Sequence, residues 1–207
     1  MIQNISNLKL FFSIKFFFIC FLICLKCYAE DSGLKKNLVV LGQNDAPIKI
    51  KVFSSLTCPH CADFHIEVVP KIKKKYVDSG KVQLIFIDFP LDKVAFNASK
   101  LLHCLNQKKQ ITFLDKVYKN QNQWNSGSNL EEINNNLKEM GRALGINANQ
   151  FDKCLNDEVI SDKILNGRID AQKKYSINST PTIIINEKKL EGSANFKNIE
   201  KNIDKII

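Results

Sequence analysis

The chain predicts an α/β fold, a mixed sheet flanked by helices, with a block of helices inserted between its strands. Three observations predict it. An apolar run, Ile48 to Phe53, is followed by helical periodicity and then by the β-branched run Val82 to Ile87, the strand–helix–strand order of a parallel right-handed crossover. Near the other end, Thr182 to Ile185 and Lys188 to Leu190 flank Asn186-Glu187, the pattern of a tight hairpin. Between these two units, from about 91 to 157, only helical stripes occur.

Taken in order, Leu38 to Leu41 reads as a short edge strand and 42–47 as a turn. Ile48 to Phe53 is the second strand, and it delivers the stretch FSSLTCPHCADFH, Phe53 to His65. Cys61, Phe64, His65, Val68 and Val69 fall at i, i+3, i+4, i+7 and i+8, one face of a helix. Pro59 suits the first turn of that helix, Pro70 predicts a kink because it has no N–H to donate, and Ser79-Gly80 ends it. Phe89-Pro90 closes the third strand. Val94, Ala98, Leu101, Leu102 and Leu105 then form one helical stripe; Ile111, Leu114, Val117 and Tyr118 a second; Leu130, Ile133, Leu137, Met140 and Leu144 a third. A polar tract between Asn120 and Asn129 reads as a loop. Phe151, Cys154 and Leu155 mark a short fourth helix, and Ile160, Ile164, Ala171 and Tyr175 a fifth. Phe196, Ile199, Ile203 and Ile206 give a C-terminal amphipathic helix. All these stripes, with Phe113 and Trp124, are read as core packing.

The chemistry concentrates at Cys58-Pro59-His60-Cys61. Cys58 falls at a helix N-terminus, where unpaired N–H groups and the helix dipole favour an anion, and a protonated His60 adds charge of the same sign. Cys61, one turn further in, is placed to attack a mixed disulfide formed by Cys58. Zinc is the main rival reading, but a structural site wants four ligands, and Cys104, Cys154, His65 and His103 are isolated in sequence. Haem attachment needs His directly after the second cysteine, and residue 62 is Ala. Redox chemistry is the expectation, with no metal and no cofactor.

The N-terminus carries an export pattern. Lys9 and Lys15 precede the ten apolar or cysteine residues Phe16 to Leu25, and Cys27-Tyr28-Ala29 supplies a processing site. The run is shorter than the ~20 residues of a membrane span. A signal peptide over 1–29, cleaved after Ala29, and a periplasmic location are expected, an uncleaved anchor being the alternative. Of seven cysteines, Cys20, Cys24 and Cys27 leave with that segment. Cys104 and Cys154 lie on apolar stripes in a chain bound for an oxidising compartment, so they are expected to form a structural disulfide. The formal charge of +9 is spread over scattered lysines without aromatic interleaving, which argues against nucleic acid as a partner.

Asp45-Ala46-Pro47, Phe53-Ser54, Cys58 to Cys61, Phe89-Pro90-Leu91 and Ser179-Thr180-Pro181-Thr182 together resemble the DsbA family of thiol–disulfide oxidoreductases, over about residues 36 to 207. The resemblance implies a thioredoxin fold interrupted by a helical subdomain at about 91 to 157. It implies a cis-proline loop at Thr180-Pro181 facing the cysteines and binding substrate peptide, and an enzyme oxidising reduced exported proteins through Cys58 and Cys61. A quinone-linked membrane thiol oxidase would reoxidise it. One departure stands out: where many members carry a buried acid on the strand before the motif, this chain has Val52. Thr180 is shared with isomerase and reductase branches. His60, and the short stretch between the cleavage point and Leu38, favour a monomeric oxidase over a dimeric isomerase. A non-turnover binding module or a Cu(I) chaperone of the same fold are the readings from other classes.

Overall fold

A computed structural model describes residues 38–207. The predicted signal segment, 1–29, lies outside the described residues. Strands β1 (Val39–Leu41) and β2 (Ile48–Ser54) lead into a continuous helix over 59–77, α1, and then β3 (Val82–Asp88). Helices α2 (Lys93–Cys104), α3 (Gln107–Lys119), α4 (Gln121–Trp124), α5 (Leu130–Arg142), α6 (Ala148–Leu155) and α7 (Glu158–Tyr175) follow, and then β4 (Thr182–Ile185), β5 (Lys188–Lys189) and α8 (Phe196–Ile203). The sheet order is β1-β3-β2-β4-β5. β2 and β3 run parallel, and the other neighbouring pairs are antiparallel. This is a thioredoxin fold with a large helical subdomain inserted after β3.

The alternation along β2 decides what covers each face. Ile48, Ile50 and Val52 are at most 1% exposed and join the main core with Ile72 and Tyr76 of α1 and Ile199 and Ile203 of α8. Burying each such side chain contributes about 1.5–3 kcal/mol. Phe53 points the other way, into a second cluster with Phe89, Ala171, Ile177 and Ile184 under α7. Lys51 shares that second face; its amine reaches Tyr175 Oη at 3.0 Å and pairs with the Glu187 carboxylate.

Around Pro70 the helical ladder of α1 changes its spacing. The Val69 N–H bonds Phe64 O, an i→i−5 step, and the ladder widens over Phe64–Val68 and again over Lys73–Val77. A wider turn takes up the N–H that Pro70 lacks. Most inserted helices start on a side-chain cap: Asp92, Asn106, Asn129 and Asn147 each accept from the N–H three residues on, as Asp157 and Asn195 do for α7 and α8. Each cap stabilises its helix by ~1 kcal/mol.

Three local expectations need correction. The tract read as a loop contains α4, because Trp124 is buried and its Nε1–H donates to Val117 O at 2.8 Å. β5 ends at Lys189, one residue short of the predicted strand. Ile206 lies beyond α8 and is half exposed, so it adds nothing to the buried stripe of Ile199 and Ile203.

Candidate active site

The cysteine pair sits where β2 hands over to α1. β2 ends at Ser54, and Cys58 occupies the N-cap position of α1 in extended conformation (φ −78°, ψ 120°), with Pro59 in the first turn and no side-chain cap bond. The chain turns there because the N–H groups of Cys61 and Ala62 both bond Cys58 O, at 3.1 and 3.2 Å. Both thiols are free, Cys58 half-buried and Cys61 1% exposed. One sulfur is open to attack and its partner is shielded.

The Thr180–Pro181 peptide bond is cis and lies against the pair. The Cys58 thiol donates to Thr180 O at 3.4 Å. The Thr180 hydroxyl, buried and with no full hydrogen bond of its own, faces Cys61. Burial pushes the Cys61 thiol up to about 12, an effect the Thr180 hydroxyl partly offsets and the neighbouring Cys58 adds to. A group held so strongly as a thiol leaves or attacks only when a proton is delivered or removed.

The sequence placed His60 as a charge beside Cys58. The structure turns its ring into solvent, with Nδ1 3.8 Å from Asp63 Oδ2. Val52 is buried in the apolar core and offers no proton-carrying group. Cys104 and Cys154 are joined at 2.07 Å, tying the end of α2 to α6, with Cα atoms 6.0 Å apart. Among the described residues, no three His, Cys, Asp or Glu side chains converge as a metal site.

Several groups that shape the site carried no signal of their own in the sequence. Gln121, buried in α4, donates to Leu56 O at 2.9 Å and Cys58 O at 3.1 Å, so the inserted subdomain grips the active-site turn directly. Thr57 Oγ1 donates to Asp92 Oδ2 at 2.6 Å, while Asp92 Oδ1 caps α2 through the Ala95 N–H. Ser55 Oγ accepts the Leu91 N–H at 3.3 Å. His65 is buried one turn beyond Cys61, its Nε2 2.7 Å from Asp115 Oδ1 and its ring 4.8 Å from that of Tyr118. Of these groups only His65 stood at a position that the stripe from Cys61 to Val69 marks as buried.

A fold of this kind, with a CxxC pair at a helix start and a cis-proline opposite, is able to exchange thiols for disulfides. Comparison with known proteins agrees. The family described as Thioredoxin matches residues 35–205. The crystal structure of Wolbachia pipientis alpha-DsbA1 superposes with a TM-score of 0.74 at 35% identity, covering 82% of this chain and 90% of that one. A Rickettsia bellii protein named as a protein-disulfide oxidoreductase is 28% identical over 88% of this chain and 69% of its own length. A Bacillus anthracis protein named as a disulfide bond formation protein D is 29% identical over 80% of this chain and 76% of its own length. The buried and half-buried thiols beside Thr180-Pro181, on a thioredoxin sheet with helices inserted after β3, thus accompany a relation that spans nearly the whole described chain, and the protein belongs to the DsbA-like family of thioredoxin-fold thiol–disulfide oxidoreductases.

Proposed function

We propose that this enzyme is an exported thiol oxidase that introduces disulfides into other exported proteins. The observation that carries this reading is the asymmetry of the pair: Cys58 half-buried at the N-terminus of α1, Cys61 1% exposed. In the oxidised form a substrate thiolate attacks Cys58 Sγ. The S–S bond breaks, Cys61 leaves, and the substrate is joined to Cys58. A second substrate thiol then displaces Cys58 and carries the disulfide away. The enzyme is left as the dithiol, and a quinone-linked membrane thiol oxidase restores it.

Direction follows from which form is favoured. The start of α1 turns the positive end of its dipole toward Cys58, and whatever favours the reduced form makes the disulfide the stronger oxidant. Pro181 presents no N–H toward the cysteines, and the Thr180 backbone is placed to pair with an extended substrate segment. Export is supported by the N-terminal residue pattern and by the Cys104–Cys154 bond, which suits an oxidising compartment. Isomerisation is the competing direction, favoured by Thr180.

The test offers the protein reduced ribonuclease and scrambled ribonuclease in parallel. Faster recovery of activity from the reduced substrate is expected. Faster rescue of the scrambled substrate would reverse the direction, and no turnover of either would return the fold to a binding or Cu(I)-carrying role.

A further inference from the structure

Arg168 of α7 carries a charge that no change of protonation removes, and the fold leaves it without an anion. It stands on the stripe of α7 that faces the sheet, between the buried Ile164 and Ala171. Its guanidinium carbon lies 5.2 Å from the centroid of the Phe89 ring. Its Nε is closed off from solvent and meets no acceptor, while the residue as a whole is part-exposed. An aromatic ring attracts the charge yet leaves the N–H donors of the fork without an oxygen. Local spacing explains the vacancy. A helix pairs charges three and four residues apart, and around Arg168 those positions hold Ile164, Leu165, Ala171 and Gln172. The carboxylates on either side of Phe89 in the chain are engaged elsewhere. Asp88 Oδ2 lies 2.6 Å from His103 Nε2, and Asp92 accepts from the Thr57 hydroxyl and the Ala95 N–H. Among the described residues no carboxylate forms an ion pair with Arg168. The surroundings are apolar and open: Leu165 and Ile169 on α7, and Leu91 two residues beyond Phe89, are each about half exposed. This edge is tied to the cysteine turn. The Phe89 N–H bonds Ser54 O at 2.8 Å, the Leu91 N–H bonds Ser55 Oγ at 3.3 Å, and Ser55 O accepts the Cys58 N–H at 3.1 Å.

We propose that Arg168, with Leu165 and Ile169 beside it and Leu91 beyond Phe89, is a docking site for client segments that carry a carboxylate next to an apolar side chain, and that it selects such segments for oxidation at Cys58. This rests on the exchange reading given above and adds to it a residue that reads client sequence. The client's Asp or Glu accepts from the guanidinium fork, and its apolar neighbour covers the half-exposed leucine and isoleucine of α7. Charge decides the occupant. Arg168 offers donors only, so an uncharged apolar segment laid over it would bury a cation unpaired, whereas a carboxylate fits the fork. Extended peptide advances about 3.4 Å per residue, so a segment held at Arg168 keeps its cysteine within a few residues' reach of Cys58 and raises the effective concentration of that thiol. The exchange steps themselves are unchanged. The site acts on KM.

The test is oxidation of synthetic dithiol peptides by the oxidised enzyme. Each peptide carries Glu-Leu, Gln-Leu or Lys-Leu, stepped from about two to about six extended residues on either side of the reacting cysteine. At the best spacing, wild type is expected to oxidise the Glu-Leu peptide with a kcat/KM about fivefold above the Gln-Leu peptide, the difference lying in KM, and to be slowest with Lys-Leu. Arg168→Met keeps an apolar stem over Phe89 and removes the charge, and its Glu-to-Gln ratio should fall to about one. Arg168→Lys keeps the charge without the fork and should retain part of the preference. Each ratio is taken on one enzyme preparation, so a loss of folded protein cancels. Oxidation of dithiothreitol, which is uncharged, should stay within about twofold of wild type in both variants. Equal rates for Glu-Leu and Gln-Leu on wild type at every spacing would overturn the proposal, as would a preference that survives intact in Arg168→Met. If Arg168→Met does not fold, the Arg168→Lys ratio decides, together with the wild-type preference, which should shrink as salt rises from about 0.05 to about 0.5 M. An oxidised wild type that takes electrons neither from any peptide nor from dithiothreitol would instead bring down the exchange reading, and the docking site with it.

Discussion

Removing Cys58 while keeping Cys61 isolates the electrostatic cost of burying the second thiol. In Cys58→Ala the Cys104–Cys154 bond stays closed, so no reductant is needed and Cys61 is the lone thiol of the described residues. In the wild-type protein burial, with a smaller contribution from Cys58, lifts Cys61 from 9.0 to about 12, and in Cys58→Ala the burial part of that rise remains. Between those values the unfolded chain has released its proton and the folded chain has not. The unfolded state therefore binds fewer protons, and stability falls as pH rises. For one proton the slope is about 1.4 kcal/mol per pH unit, and the full loss stays under about 4 kcal/mol, because the part of the shift due to Cys58 is gone from the variant. Below pH ~9 both states keep the proton and the effect vanishes. Cys58→Ala/Cys61→Ala lacks the group and supplies the baseline. Tyr118 is also raised by burial, but it titrates in both proteins and largely cancels. Urea unfolding of the two variants from about pH 8 to about pH 10.5 should give curves that coincide at the acid end and separate by about 1.4 kcal/mol per unit above pH ~9. Parallel curves over the whole range would refute the claim that burial holds Cys61 as a thiol.

Three other outcomes are expected. In the reduced protein at pH 7, brief treatment with iodoacetamide followed by peptide mapping should label Cys58 and leave Cys61 unmodified, because only ~10⁻⁵ of Cys61 is thiolate there. Gln121→Ala should cost about 2–4 kcal/mol in urea melts, since it strands the buried carbonyl of Leu56 and weakens the hold on Cys58 O, and it should slow oxidation of a model dithiol peptide. Replacing Cys104 and Cys154 together by Ala opens a loop spanning 50 residues, for a loss of about 4 kcal/mol by chain entropy, while the initial rate of Cys58 with Ellman's reagent stays near wild type.

Local periodicity made the elements of this protein legible in its sequence. Ile48 to Phe53, the stripe from Cys61 to Val69 and the run Val82 to Ile87 each repeat within a few residues, and such repeats encode which face of a strand or helix is buried whatever lies opposite. The position of Cys58 at a helix start is equally local, set by Pro59 and the apolar spacing after it. The same logic fails for α4, where the residues from Gln121 to Trp124 look like a loop until the buried contacts of Trp124 and Gln121 are known.

What only the tertiary structure decided are meetings between faces far apart in the chain. Nothing local to Thr180 says that its hydroxyl will oppose Cys61, nor does anything near Gln121 say that its amide will bond Leu56 O and Cys58 O. Asp88 and Ser54 become partners through strand register, and His103 joins Asp88 only because α2 folds back over the end of β3. His60 is the converse case: its motif predicted a charge aimed at Cys58, but a short side chain on the outer face of the first turn points to water and to Asp63. The physical reason is common to all of them. Burial preference is a property of one residue and leaves its mark in spacing, whereas a hydrogen bond or a shifted proton affinity belongs to a pair or a group, and its members are chosen only when the packed faces meet.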